Sequence, residues 1–262
     1  MDRTVRTVED LLTLLDGLFA SRTEAGRLAT GDGKDFWDGF YADRSREVPF
    51  FVAKPDENLA AYLDQGLIAP PGRALDLGCG PGRNALLLAS HGFDVDAVDL
   101  SPIAVAWAAE RAREAGAEIR LLCGDAFALP EADLPGPYDL VVDSGCFHHL
   151  PPHRRISYLS LLARVLRPGG HLALTAFAAD EEGMASQLSD ADLYRERGLG
   201  GGLAYTPESL RWIFSDLLAE VELRRMREER PDSPVFGKPY LWTGLFRRDP
   251  GGHAGRHLAT SR

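Results

Sequence analysis

From residue 73 onward the sequence predicts an α/β chain built on a mostly parallel sheet, and three observations carry that expectation. Short apolar runs rich in Val, Leu and Ile alternate with segments of helical pattern, the signature of repeated βα units. Gly, Pro or Asp bounds each run, which is the turn chemistry that ends a buried strand. A chain of 262 residues, 45% of them hydrophobic, is long enough to bury one full core, so a single sheet with small appended covers is expected.

Strands are expected at residues 73–77, 93–99, 118–123, 138–143 and 171–177. Helices are expected between them at 82–90, 102–115 and 154–166, with Gly92 and Gly116 as C-terminal stops. Arg167-Pro168-Gly169-Gly170 reads as a turn. A last helix opens at Thr206, whose hydroxyl caps free backbone amides, with Pro207 in the first helical position, and runs to about residue 218. Strands at 220–225 and 240–247 then close the sheet as an antiparallel pair across a loop holding Pro231, Pro234, Gly237 and Pro239. Residues 70–248 thus form the expected core, and 249–262 a frayed tail. Two segments break the rhythm and read as covers over one end of the sheet. Residues 1–69 hold an amphipathic helix near 8–19 and the aromatics Phe36, Trp37, Phe40, Tyr41, Phe50 and Phe51; residues 178–205 hold Met184, Tyr194 and the glycine run 198–202.

Net charge is −10, from 39 acids against 29 Lys and Arg. A phosphate-binding surface usually shows the opposite excess, so nucleic acid is not an expected partner. The basic runs at Arg224-Arg225-Met226-Arg227 and His153-Arg154-Arg155 are short, and Glu228-Glu229 follows the first. No stretch approaches the ~18 apolar residues of a membrane span and the N-terminus lacks an apolar signal core, so a cytoplasmic protein, monomeric or homodimeric and without a membrane partner, is expected. Cys79, Cys123 and Cys146 show no CxxC spacing, which points to reduced thiols rather than a disulfide framework.

The strongest motif is Ala74-Leu75-Asp76-Leu77-Gly78-Cys79-Gly80-Pro81-Gly82, a strand that runs into a glycine loop and then a helix. Glycine suits a sharp turn that a ligand must approach closely. The spacing is G-x-G-x-G with an acid two residues before the first glycine, whereas dinucleotide sites favour G-x-G-x-x-G with pyrophosphate on the helix N-terminus. An acid there repels pyrophosphate and suits an ammonium or sulfonium, which selects S-adenosylmethionine over a nicotinamide cofactor. Asp99, at the end of the second strand, is placed to accept from ribose hydroxyls. Asp125 follows the third strand, where a carboxylate can accept from the adenine amine while Ala126 or Phe127 touches the ring.

Over roughly residues 73–177 the chain resembles the class I S-adenosylmethionine-dependent methyltransferases. The stretches 76–84 and 91–99 look especially like the tellurite-resistance and thiopurine methyltransferase-like branch. The resemblance implies a Rossmann-like, seven-stranded sheet with the last strand antiparallel, to which residues 1–69 add the expected N-terminal helical lid. It places the methionine part of the cofactor on Asp76, Gly78, Cys79, Gly80, Gly82 and Asn84, the ribose on Asp99, and the adenine on Asp125, with Leu100 and Ala126 against its faces.

The methyl acceptor is expected beside Asp143-Ser144-Gly145-Cys146-Phe147-His148-His149, after the fourth strand. His148 and His149 are candidate bases, or one of them is scaffold. Asp143 sits where it orients a histidine, the cofactor or a substrate amine, or ends a strand. A metal centre at Cys146 and the nearby histidines lacks helical pairing, because Pro151 and Pro152 intervene. Tyr41, with Trp37, Phe40 and Phe50, either roofs the acceptor or forms a packing seam: Phe36 with Phe40 and Trp37 with Tyr41 stand four apart. Arg44 and Arg46 are candidates for a substrate carboxylate or phosphate. The D/N-P-P-Y/F/W tetrapeptide of DNA amino-methyltransferases is absent. The expected function is methyl transfer to an O, N or S atom of a small molecule. Protein or RNA methylation, and cofactor binding without transfer, are the alternatives.

Overall fold

Strand β1 (Gly72–Leu77) stands at the middle of the molecule because both of its faces are apolar. Ala74 packs into one core, and Leu75 and Leu77 into the other. The computed structural model describes residues 5–20, 32–179, 185–196, 199 and 201–249. Around β1 run β2 (Phe93–Asp99), β3 (Arg120–Cys123), β4 (Tyr138–Ser144), β5 (Leu166–Phe177), β6 (Leu218–Arg225) and β7 (Leu241–Arg248). They form one seven-stranded sheet in the order β3-β2-β1-β4-β5-β7-β6. Strands β1 to β5 pair in parallel, and β7 is antiparallel to both β5 and β6. Parallel strands need both faces covered. Tyr158, Leu161 and Leu162 of α6 (Arg155–Val165) and Leu210 and Phe214 of α8 (Pro207–Phe214) cover one face. Leu59, Tyr62 and Leu63 of α3 (Glu57–Asp64), with Ala85 and Leu88 of α4 (Arg83–Ser90), cover the other.

Helix ends follow their caps. Ser101 accepts from the Ala104 N–H and Gly116 closes α5 (Pro102–Ala115) in the left-handed conformation. Thr206 and Ser209 form a reciprocal capping pair at α8. Three segments depart from expectation. The 167–170 turn lies inside β5 as a bulge: the register with β4 passes from Tyr138↔Leu166 to Leu140↔His171, and the Arg167 side chain pairs with Asp139 across it. Helix α8 stops at Phe214, since Leu218 already pairs with Arg248 as the start of β6. Within the N-terminal segment, α3 packs on the face of the sheet and not over its end.

The remaining N-terminal elements gather at the C-terminal ends of the strands. Helix α1 (Val8–Ala20) is held by Asp16, whose carboxylate takes bonds from His153 Nε2 at 2.6 Å and Arg154 Nε at 3.0 Å. Helix α2 (Asp32–Ala42) carries the aromatic cluster against Ile103, Ala104 and Trp107 of α5. Within the cover at 178–205, α7 (Asp190–Glu196) buries Leu193, and Tyr194 Oη bonds the backbone and ring of His153. Met184, Gly198, Gly200 and the tail from Pro250 lie outside the described residues. No helix among the described residues is long and apolar enough to cross a membrane.

Candidate active site

A cavity of about 680 Å³ opens at the C-terminal ends of β1, β2, β4 and β5, lined among others by Leu77, Asp99, Ser144 and Thr175. It straddles β1 and β4, where the strand order reverses, the position at which open α/β sheets bind ligands. Its floor is the glycine loop. Gly78, Gly80 and Gly82 have φ of 71°, 51° and 78°, values that L side chains adopt at a cost. The loop is also a cradle with no room for side chains. A Cβ on Gly78 would stand 2.7 Å from Cβ of Cys146, and one on Gly80 3.0 Å from Oη of Tyr41. Gly82 differs from expectation: it does not line the cavity, and a Cβ there would meet Ala108 of α5 at 3.1 Å. Its role is to let α4 and α5 approach.

Three acids stand where the sequence pattern put them, on the rim and floor. Asp76 is buried and accepts from the Ala85 N–H at 3.0 Å. Burial pushes its carboxyl up to about 7, against the pull of Arg83. Asp99 holds the loop itself, accepting from the Gly80 N–H and the Ser101 N–H, each at 2.8 Å, and burial raises it also. Asp125 is exposed and accepts from the Phe127 N–H at 2.9 Å, which places Ala126 and Phe127 beside Leu100 on the cavity wall. Cys79 lies among them, buried, its thiol pushed well up by that burial.

The inner end holds a charged cluster that sequence reasoning did not find. Arg83, buried and lining the cavity, forms an ion pair with Asp56 at 2.5 Å, donates to Ser144 Oγ at 2.9 Å, and lies 4.6 Å over the Phe236 ring. Asp56 comes from the N-terminal segment and meets Arg83 only in the fold. Asn84, expected to hold cofactor, uses its amide on Asp56: it accepts from the Asp56 N–H at 2.9 Å and donates to its carboxylate at 3.2 Å. The signal available in the sequence was the Arg83-Asn84 pair at the mouth of the loop.

Asp143 is a correction. It is fully buried, lies outside the cavity lining, and accepts from the N–H groups of Gly145, Cys146 and Phe147 at 2.8 to 3.2 Å. Burial pushes it up to about 6. Its carboxylate shapes the loop after β4, so it is a positioning residue and makes no contact with the cavity.

That loop supplies the second wall. Cys146, His148 and His149 face the cavity opposite the roof of Trp37, Tyr41 and Phe50, with Phe177 and Tyr240 alongside. The packing seam is present, and two of its members also reach the cavity. Phe36 with Phe40 and Trp37 with Tyr41 stack at 6.1 and 5.9 Å along α2, while Trp37 and Tyr41 also line the cavity. Burial, with Asp99 nearby, raises the Tyr41 phenol well above its ordinary value, so it keeps its proton at neutral pH. His148 and His149 are both lowered by burial, His149 to about 4. Arg44 and Arg46 are not at the site: Arg44 pairs with Glu110 and sits over Trp107, and Arg46 sits over Phe40. Among the described residues no group of three His, Cys, Asp or Glu is placed to hold a metal ion.

Residues 74–170 match the family described as a methyltransferase domain. The chain is 40% identical over 224 residues to the thiopurine S-methyltransferase of Stutzerimonas stutzeri, covering 79% of this chain and 90% of that protein. It is 31% identical over 171 residues to the 27-O-demethylrifamycin SV methyltransferase of Amycolatopsis mediterranei, covering 64% of this chain. It spans 60% of that relative's length, and 38% of the length of another curated relative from Synechococcus sp.. The fold matches the crystal structure of Burkholderia thailandensis 1,6-didemethyltoxoflavin-N1-methyltransferase with bound 1,6-didemethyltoxoflavin and S-adenosylhomocysteine, at TM-score 0.55 and 22% identity over 95% of this chain and 93% of that one. Sheet order, glycine cradle and these likenesses agree, and the chain belongs to the class I S-adenosylmethionine-dependent methyltransferases.

Proposed function

We propose that this chain methylates a small, planar nucleophile held between the glycine loop and the aromatic roof. The observation that carries the reading is the roof itself: Trp37, Tyr41, Phe50 and Phe177 line a cavity of about 680 Å³ with aromatic surface beside the loop after β4, a lining suited to a small flat ring. The acidic balance of the chain, −10, favours the same reading over an RNA substrate. The relative named for thiopurines adds support for a heteroaromatic acceptor.

The cradle fits the cofactor. Bound S-adenosylmethionine supplies a methyl group on a sulfonium, which leaves its electron pair on that sulfur as the acceptor's lone pair takes the methyl. The protein's part is placement, and effective molarities of ~10⁵ to 10⁸ M show how much holding two reactants in line contributes. Asp99 keeps lone pairs for ribose hydroxyls beyond its two backbone bonds. Asp125 receives the adenine amine, between Leu100 and Ala126. Asp76 and Arg83 offer opposite charges to the ammonium and carboxylate of the amino-acid end, while Gly78, Cys79 and Gly80 let it reach the backbone. Helices α1 and α2 bring Asp16, Trp37 and Tyr41 to the cavity lining, which suits them to a lid that excludes water.

Calorimetric titration of S-adenosylmethionine and S-adenosylhomocysteine into the parent and Asp99→Ala tests the seat: weaker binding of both by Asp99→Ala is expected, and equal affinity refutes the ribose assignment. Incubation with thiols, amines and phenols, read by product mass, tests the acceptor. Methylation of RNA or a protein with none of the small molecules would overturn the reading.

A further inference from the structure

His148 and His149 stand side by side in the one-turn segment Phe147–His149, their rings 4.4 Å apart. Their hydrogen bonds run in one direction. The backbone N–H of Phe177 donates to Nδ1 of His148 at 3.1 Å. A backbone amide is always a donor, so Nδ1 carries no proton and the neutral ring bears its proton on Nε2. That Nε2 lies 3.1 Å from Nε2 of His149, so His148 donates and His149 accepts. The remaining proton of His149 therefore sits on Nδ1. This atom is buried and has no hydrogen-bond partner among the described residues, although His149 lines the cavity. Burial keeps both rings neutral, and the Phe177 N–H fixes the direction of the two-ring relay. Trp37 stands edge-to-face on the His149 ring at 5.0 Å and 74°. Pairs of this kind are ordinary in cores, but a buried donor without a partner costs roughly 1–3 kcal/mol and is uncommon in them.

We propose that His149 recognises the methyl acceptor through its Nδ1–H, and that this acceptor is an aromatic thiolate or phenolate that arrives already ionised. The inference rests on the small-molecule reading above and narrows it. The only lone pair of the histidine pair that faces a free partner in a general-base role would be on Nε2 of His149, and His148 occupies it. Cys146 on this wall and Tyr41 on the roof that faces it are held protonated by burial. What this wall offers an incoming nucleophile is a donor, which suits an anion, and no group that removes a proton. Nδ1 is sealed in the free protein, so the contact forms as the acceptor opens this wall to the cavity that His149 lines. His148 acts only through His149 and is a positioning residue.

The test uses the ¹⁵N-labelled full chain with S-adenosylhomocysteine bound. Long-range proton–nitrogen spectra at pH 7 are expected to show His148 protonated on Nε2 and His149 on Nδ1. In His148→Phe, His149 is expected to lose that single tautomer. A proton on Nε2 of His149 in the parent, or an imidazolium on either ring, overturns the proposal. Thiophenol, ionised near neutral pH, and phenylmethanethiol, which is not, are then titrated in. Thiophenol is expected to shift the His149 Nδ1 resonance and to bind about tenfold tighter or more, the scale of a hydrogen bond to a charged group. That preference should vanish in His149→Phe and survive in part in His149→Asn, whose amide can still donate. No shift with thiophenol, or a preference retained in His149→Phe, overturns the proposal while leaving the cofactor site intact. Absence of S-adenosylhomocysteine binding to the parent would instead refute the reading of the cavity on which it rests.

Discussion

With Asp76 at the cationic end of the cofactor, as proposed, affinity should depend on pH in a direction fixed by the environment of its carboxyl. Burial without a full counter-charge raises its carboxyl from an ordinary 3.8 to about 7, so in the free protein it is mostly protonated at pH 6 and mostly ionised at pH 8. A cationic ligand end favours the ionised form, and binding therefore strengthens as pH rises through the free protein's value. With that value at 7 the carboxyl is ionised in about 9% of molecules at pH 6 and about 91% at pH 8, a tenfold change in affinity or about 1.4 kcal/mol. Binding at pH 6 should release about 0.9 proton from this group. The assay is calorimetry of S-adenosylmethionine at both pH values in buffers of different ionisation enthalpy, on the parent and on Asp76→Asn. The ligand's own amine titrates near 7.7–8.0, but it is common to both proteins and cancels in the difference. A parent and Asp76→Asn that share the same pH slope and the same proton release refute the assignment of Asp76 to the cationic end. In the free protein the linkage runs the other way. A raised carboxyl favours folding below its unfolded value and loses that contribution as pH rises towards 7, so Asp76→Asn should melt no lower than the parent at pH 8.

Three further outcomes follow from the packing. Gly78→Ala places a Cβ 2.7 Å from Cys146 at φ 71°, and the left-handed strain of about 1–2 kcal/mol plus the clash should lower thermal stability and abolish S-adenosylhomocysteine binding; melting and affinity equal to the parent's would refute the cradle. Asp56→Ala leaves the Arg83 guanidinium buried without its partner and should cost about 3–5 kcal/mol in denaturant unfolding, whereas a loss under 1 kcal/mol would mean that water reaches Arg83. Asp143→Ala removes the acceptor for three loop amides, so it should destabilise by roughly 2–4 kcal/mol; unchanged stability would show that the loop after β4 holds its own shape.

Most of the sheet was legible because each strand is a short apolar run with its own punctuation, and the glycine loop announces itself by spacing alone. Asp76, Asp99 and Asp125 were readable for the same reason: each stands at or just beyond the C-terminal end of a strand, and strand ends are where a parallel sheet gathers its ligands. What escaped were features made by distant segments meeting. Asp56 forms an ion pair with Arg83, 27 residues on, and a separate backbone bridge with Phe236 of the β6–β7 loop, 180 residues on, and no local pattern signals either contact. The bulge at Pro168-Gly169-Gly170 looked like a turn because the same residues serve both, and only the β4 register distinguishes them. Asp143 was misplaced since direction along the strand cannot be told from the residue type: its neighbour Ser144 faces the cavity and it does not. The histidine pair was seen, but its polarity depends on Phe177, 29 residues away.

A Cβ added to Gly78 would stand 2.7 Å from Cys146, and both residues line one cavity, so they form a shared partition between the donor and recipient ends proposed for it. Thickening that partition on either side intrudes on the other, so variants selected for a bulkier recipient should trade away donor affinity in proportion. Diversification of such an enzyme is then steered to its ceiling, where aromatic side chains can be exchanged without disturbing the shared wall.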